Sequence, residues 1–307
     1  MGKYLDRDKQ IQVLRLLSEG NSIRSTMRLT GIEKKTITRI VVRFGNQCRD
    51  YLDFALSNLN LDHIQIDEIW TFVQMKEARA KRRNLDSSVR GDQYLFTALD
   101  TDTKLLVTFA IGKRTLATTD LFIADLEKRL YRSPEVTGEQ RIQLSTDGFH
   151  PYVSSIRNHF RGTARHGILI KNYVNPEVGR YAAPALVDAD RYNVNGISDL
   201  TTICTSHVER NNLTIRTFMK RFTRLALGFS KKVENLAAAT AIHVAVYNFC
   251  RIHSTIRCTP AMAAGVIDRL WSMGDLYDAV TGHAAQVVAK RRRDARIDRL
   301  IRKLQGE

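Results

Sequence analysis

Three β-strand patterns follow one another between residues 62 and 111 with nothing longer than a loop between them, and this run constrains the fold more than any other feature. The first lies within 62–75 and contains HIQIDEIWTFV, in which apolar and polar residues alternate and β-branched and aromatic side chains dominate. A basic stretch at 77–90, with Arg79, Lys81, Arg82 and Arg83, reads as a loop. The second strand covers 93–99, Asp100-Thr101-Asp102-Thr103 makes a turn, and the third strand covers 105–111. Short turns between strands make the three an antiparallel meander.

A helical pattern at 118–130 follows, then a short strand at 141–145 ending in Thr146-Asp147-Gly148, a helix near 152–160 and a strand near 167–171. Residues 172–200 are polar and read as loop. Residues 201–205 read as a short strand or an extended lead-in to a long helix starting near His207. The order β-β-β-α-β-α-β-α with an antiparallel start is that of an RNase-H-like core: α/β, with a mixed central sheet flanked by helices. A doubly wound nucleotide-binding fold would alternate strand and helix from the beginning.

Ahead of the first strand the periodicity is helical. Residues 9–19, 22–29 and 33–44 read as three helices, with Ser22 as an N-cap and Thr30-Gly31-Ile32 as a tight turn before the third. That layout is an all-α helix-turn-helix. The third helix carries Lys34, Lys35, Thr36, Thr38, Arg39 and Arg43 on its polar side, the residue types that reach base edges and phosphates. A solvated basic face on a small bundle gives the same pattern. Residues 46–60 read as a linker helix or loop.

Charge agrees with a polyanionic partner. Lys plus Arg is 48 against 32 Asp plus Glu, a formal +16, and each neutralised phosphate releases condensed counterions. The four cysteines, Cys48, Cys204, Cys250 and Cys258, form no C-x-x-C pair and no zinc-finger grouping with histidine, so no zinc site is expected. Such spacing suits a reducing compartment. The start MGKYLDRDKQ has no apolar h-region, and the apolar run near 236–246 is broken by His243 and too short to span a bilayer. The expectation is a cytoplasmic, nucleoid-associated protein with no membrane partner. The absence of a G-x-x-x-x-G-K-[ST] loop implies no nucleotide.

Three acids stand where this order brings residues together: Asp67 in the first strand, Asp147 at the end of the fourth, and Glu209 in the first turn of the last helix. The first and fourth strands of such a core are neighbours. Carboxylates forced close together repel unless a cation cancels their charge. Hard oxygen ligands suit Mg²⁺ or Mn²⁺, and two such ions can clamp the attacking and leaving oxygens of a phosphoryl displacement. Glu68 adjoins Asp67, but the period of two sends it to the other face and makes it the less apt ligand. Asp100 and Asp102 read as turn residues. On the last helix Val208, Ile215, Phe218, Phe222 and Leu225 form an apolar stripe, and Glu209, Asn212, Arg216 and Lys220 a polar one. The polar stripe suits a metal at the acid and phosphates along the basic groups, or an ordinary amphipathic surface helix. His207 is a DNA or phosphate contact, or simply a polar residue at the helix start.

The segments IDEIWTFV, ALDTDTKLLVTFAIG, LSTDGFHPY, SHVERNNLTIRTFMKRFTR and AAATAIHVAVYNFCRIHSTIRCTPAMAAG resemble the DDE transposases of bacterial insertion sequences, the insertion-sequence-one type in particular, over roughly residues 64–265. Many relatives of that type carry a zinc-binding N-terminal segment, for which this chain lacks the cysteines. The resemblance implies that Asp67, Asp147 and Glu209 are the catalytic, metal-binding triad. It implies cleavage at the ends of a mobile element followed by strand transfer, and a homodimer or higher multimer on double-stranded DNA that holds terminal inverted repeats and target. Asn248, His253 and Pro260 stand in the customary order of the core's ending and read as packing and local DNA-contact positions. The expected division is a head at 1–58, a catalytic core at 59–265 and a basic helical tail at 266–307. Two other functions share these features: a non-catalytic DNA-binding regulator using the same head, and an RNase-H-like nuclease.

Overall fold

Strand β1 (His63–Val73) is the middle of the structure because both of its edges are taken, one antiparallel and one parallel. The computed structural model describes residues 5–131, 137–174, 185–224 and 226–305. Strands β2 (Gly91–Asp100), β3 (Leu106–Gly112), β4 (Gln143–Thr146), β5 (Arg165–Val174) and β6 (Ala185–Asn195) complete a six-stranded mixed sheet in the order β3-β2-β1-β4-β5-β6. The β1–β2–β3 meander is antiparallel, β4 and β5 run parallel to β1, and β6 turns back antiparallel on β5. The expected α/β core with its antiparallel start is present.

Strand β6 is a departure, since 172–200 was expected to be loop. Of ALVDADRYNVN nine residues are exposed and two half-buried, so no apolar face imposes the alternation by which a strand is recognised. Of the two alternatives for 201–205 the strand is absent: Leu200–Thr202 is a 3₁₀ turn, and 203–205 lead into the helix. The basic stretch at 77–90 holds a short helix, α4 (Glu77–Arg82).

The head consists of α1 (Arg7–Ser18), α2 (Ile23–Thr30) and α3 (Lys34–Ala55). Ser22 caps α2 through Ser25 N–H (3.0 Å), and Gly31 closes it at φ 69°, the left-handed turn that glycine adopts without strain. Helix α3 does not stop at Phe44. It runs on to Ala55, burying Phe44, Cys48 and Leu52 at steps of four, so most of the expected linker is helix.

This continuation lies against α8 (Val233–Phe249), and a Cβ on Gly45 would stand 2.2 Å from the Ala238 carbonyl oxygen. Only glycine lets the two backbones meet there. With α3 on one side and β3 on another, α8 is buried from Leu236 to Phe249 apart from a half-buried Ala239. Its Asn248 ties it to β3, accepting from Leu106 N–H (3.0 Å) and donating to Leu106 C=O (2.9 Å). Head and sheet therefore share one apolar core, from Val13, Leu14, Ile37 and Phe44 to Ile64, Ile66 and Phe249.

The remaining helices are α5 (Leu116–Arg129), α6 (Pro151–Phe160), α7 (Ser206–Phe218), α9 (Pro260–Ala263) and α10 (Met273–Gln305). Helices α5 and α6 cover the sheet face of Phe96, whose ring meets Phe122 and Tyr152. Helix α7 covers the opposite face, with Ile215 packed against Ile69 and Leu95. It is shorter than expected: the chain leaves the helix after Phe218, so Lys220 and Phe222 are not on it, and Leu225 lies outside the described residues. His253 bridges Cys258, and Pro260 is buried at the start of α9. The basic segment at 286–303 is helical, within α10. Among the described residues no helix is long and apolar enough to cross a membrane.

Candidate active site

The site exists because β4 is short. Its pairing with β1 ends at Gln65↔Ser145, while β1 continues alongside β2 through Asp67↔Thr97 and Glu68↔Phe96 to Val73. Beyond Gln65 one edge of β1 therefore lies open where β4 has turned away. Asp147 follows directly, held by Phe149 N–H donating to its Oδ1 (3.0 Å).

Alternation sends Asp67 and Glu68 to opposite faces. Asp67 turns toward α7, where Asn212 Nδ2 donates to its Oδ2 (2.6 Å). Glu68 turns toward α6, where the buried Tyr152 hydroxyl donates to its Oε2 (2.8 Å). With no strand filling the edge, both carboxylates reach round it. One oxygen each of Asp67, Glu68 and Asp147 lie within 4.8 Å of one another. Glu68 leaves the strand on the other face, as the period of two predicts, and one of its oxygens nonetheless lies beside those of Asp67 and Asp147.

Glu209 is seated by the same face of β1. Gln65 Oε1 accepts His207 N–H (2.8 Å) and Val208 N–H (3.1 Å), which fixes the first turn of α7 beside Asp67. Glu209 lines the same open cleft of about 850 Å³ as Asp67, Glu68 and Asp147. It is not part of the tight cluster. Its carboxylate is bound by Lys171 of β5 and accepts from Thr205 Oγ1 (2.6 Å). The structure thus brings Asp67 and Asp147 together, adds Glu68, and leaves Glu209 facing them in an ion pair.

Burial and crowding raise the proton affinity of the cluster. The Asp67 carboxyl is pushed up to about 7, first by burial and then by Glu68, Asp147 and Glu209, against the Glu68 N–H that bonds it (2.8 Å). Burial and Asp147 raise Glu68, with Arg114 and Tyr152 opposing. Burial also raises Asp147, with Phe149 N–H and Arg114 opposing. Buried carboxylates this close are more stable with a cation among them. The neighbouring donor fits too: Asn212 Oδ1 is buried with no hydrogen-bond partner among the described residues. An all-oxygen set suits hard divalent ions such as Mg²⁺ or Mn²⁺.

The other singled-out residues divide. Lys34, Lys35 and Arg39 are exposed at the start of α3, and Thr36 and Thr38 are half-buried, with Thr38 Oγ1 donating to Lys34 C=O (2.9 Å). Arg43 is half-buried, and its guanidinium bonds Gln10 of α1. Arg216 lines the cleft and donates to Phe222 C=O (3.4 Å), whereas Lys220 is exposed and does not line it. His207 Nδ1 lies 3.3 Å from Lys104 Nζ. Asp100 accepts from Thr103 N–H (2.9 Å) and Oγ1 (2.7 Å), the turn role its context suggested.

Three basic residues of the cleft, Arg114, Lys171 and Arg224, escaped the sequence reading. Arg114 binds Glu68 and approaches Asp147 (3.5 Å), with its guanidinium 4.0 Å from the Phe149 ring centre. Arg114 and Lys171 lie in no local pattern that marks a site, and Arg224 closes the segment SHVERNNLTIRTFMKRFTR without standing on its polar stripe.

No protein-family model and no curated protein sequence matches the chain. Among solved structures it is similar to the cryo-EM structure of a piggyBac transposase synaptic complex with hairpin DNA. That likeness has a TM-score of 0.38 at 10% identity and covers 94% of this chain and 73% of that one. At that level it carries nothing about what this chain does. The insertion-sequence-one type gains no support from these comparisons.

Proposed function

We propose that the chain is a DNA transposase that cleaves the ends of a mobile element and joins them to target DNA, with Asp67, Asp147, Glu209 and also Glu68 as its acidic residues. The observation that carries this reading is the convergence of Asp67, Glu68 and Asp147 within 4.8 Å at the open edge of an RNase-H-like sheet, in an open cleft of about 850 Å³ that Glu209 also lines. Two divalent ions bound there, Mg²⁺ or Mn²⁺, would neutralise charge on the attacking and leaving oxygens of a phosphodiester displacement.

The chain's own residues set the stage for that chemistry. Asn212 and the Glu68 N–H orient Asp67, and Phe149 N–H orients Asp147. Arg216 and Arg224 supply positive charge on the cleft wall, where a phosphate backbone would lie. The exposed Lys34, Lys35 and Arg39 at the start of α3 suit recognition of element ends as duplex DNA. Holding two ends requires a dimer or higher multimer, which sedimentation with and without end DNA would reveal.

Asp67→Ala, Asp147→Ala and Glu209→Ala should each abolish divalent-dependent cleavage and strand transfer while duplex binding persists. A variant that cleaves at the wild-type rate removes that residue from the active site. Cleavage with no strand-transfer product identifies a nuclease instead, and binding without cleavage a regulator.

A further inference from the structure

Arg114 occupies the oxygens that a cation would need. It follows β3 and directly precedes Thr115, the N-cap of α5, so it belongs to neither sheet nor helix. Glu68 has two carboxylate oxygens: Oε2 accepts from Tyr152, and Oε1 accepts from Arg114 Nε. Asp147 likewise has Oδ1 taken by Phe149 N–H, and Arg114 Nη2 lies 3.5 Å from Oδ2. Glu68 thus has both oxygens engaged, and Asp147 has a guanidinium beside its second.

The two partners of Glu68 differ in their freedom to leave. Tyr152 is wholly buried, with its ring against Phe96 and Phe149. The Arg114 side chain is 39% exposed, whereas that of Glu68 is only 4% exposed. Arg114 therefore approaches the acids from the solvent side and can withdraw the same way, its guanidinium lying over the Phe149 ring.

Resting on the reading of the cleft as a phosphoryl-transfer site, we propose that Arg114 is a displaceable counter-ion: it holds Glu68 and Asp147 in the cation-free protein, yields them to a divalent cation, and then binds a phosphate of the DNA backbone. The guanidinium fork matches a phosphate as well as it matches a carboxylate. Displacement conserves the logic of charge, because the arriving cation replaces a positive group that is then free for the arriving anion. Cation and DNA would each favour the state in which Arg114 has left the acids, so their binding is mutually reinforcing. Arg114 would thereby weaken cation binding until substrate is present.

The test is Mn²⁺ binding by the full chain, measured by titration calorimetry at pH 8 with and without a short end duplex, for wild type, Arg114→Gln and Arg114→Lys. Without DNA, Arg114→Gln should bind Mn²⁺ more tightly than wild type, on the order of tenfold, and Arg114→Lys should fall between. The duplex should tighten Mn²⁺ binding by wild type and have little effect on Arg114→Gln. Equal or weaker Mn²⁺ binding by a folded Arg114→Gln, with wild type binding normally, overturns the counter-ion role and leaves the transposase reading standing. No Mn²⁺ binding by any of the three, wild type included, overturns both.

Discussion

Asp67 and Glu68 leave β1 on opposite faces of the sheet, yet an oxygen of one lies within 4.8 Å of an oxygen of the other. The cause is the length of β4, which pairs with β1 only as far as Gln65. Glu68 is therefore expected to serve as a cation ligand and not only as the acceptor for Tyr152. Glu68→Gln keeps the shape and the Tyr152 hydrogen bond and removes the charge. It should weaken Mn²⁺ binding by about tenfold or more and slow cleavage in step. Unchanged Mn²⁺ affinity in a folded Glu68→Gln would reduce the residue to a structural acceptor.

The raised Asp67 carboxyl has a consequence for stability. Its folded pKa of about 7 lies above the unfolded value of 3.8, so the folded protein binds more protons in between. This contribution is fully present below about pH 4 and is lost as pH rises through 7. Asp67→Asn removes the titration. Wild-type stability relative to Asp67→Asn, measured by urea unfolding in chelator, should therefore fall between pH 5 and pH 8, and Mg²⁺ should reverse the fall. A difference that does not change with pH would show that Asp67 is not protonated in the cation-free fold.

His243 titrates with the opposite sign. It is buried on α8, its Nε2 has no partner among the described residues, and burial lowers its pKa from 6.5 to about 3. Its neutral form is stable above pH 6.5, and folded stability is lost as pH falls below that value. His243→Leu removes both the unpaired nitrogen and the titration. It should be neutral or stabilising by up to about 1–3 kcal/mol at pH 7 and should gain further on wild type toward pH 4. Thermal melts at the two pH values decide the matter, and a variant that melts lower at both would point to a bond that His243 makes.

At Gly45 two effects compete. Alanine favours a helix interior over glycine by about 1 kcal/mol. A Cβ there, however, meets the Ala238 carbonyl oxygen at 2.2 Å, and that oxygen belongs to backbone that cannot rotate away. Overpacking of this kind costs about 1–3 kcal/mol or more. Gly45→Ala should therefore lower the unfolding free energy, and a rise would mean that the α3–α8 crossing can open to admit a methyl group at little cost.

What the sequence made legible was what local pattern encodes. Alternation in HIQIDEIWTFV located β1, and the short turns after it predicted the antiparallel start. Ser22 and Gly31 marked the boundaries of α2. Features set by distant parts of the chain were hidden. Gly45-Asn46 resembles a helix stop until α8 is known to lie against it. Strand β6 has no buried face to reveal it. Glu68 joins the cluster because β4 is four residues long, a fact about another strand. Arg114 and Lys171 reach the acids from a loop and from β5, with no motif around either.

The head offers a direct test of DNA binding because its basic residues fall into two groups. Lys34, Lys35 and Arg39 are exposed at the start of α3. Arg43 instead bonds Gln10, whose Oε1 also accepts from Tyr277 O–H (3.1 Å), so this polar contact joins α1, α3 and α10. Each phosphate contact releases about one counterion, and losing one lowers the salt slope of binding by about 1. Lys34→Ala with Lys35→Ala and Arg39→Ala should weaken binding to a duplex and flatten its salt dependence, as read by fluorescence anisotropy between 50 and 200 mM salt. Arg43→Ala should lower the melting temperature and leave the slope unchanged. A triple variant that keeps the wild-type slope would mean that the face of α3 does not hold DNA, and a reduced slope for Arg43→Ala alone would mean that Arg43 leaves Gln10 when DNA arrives.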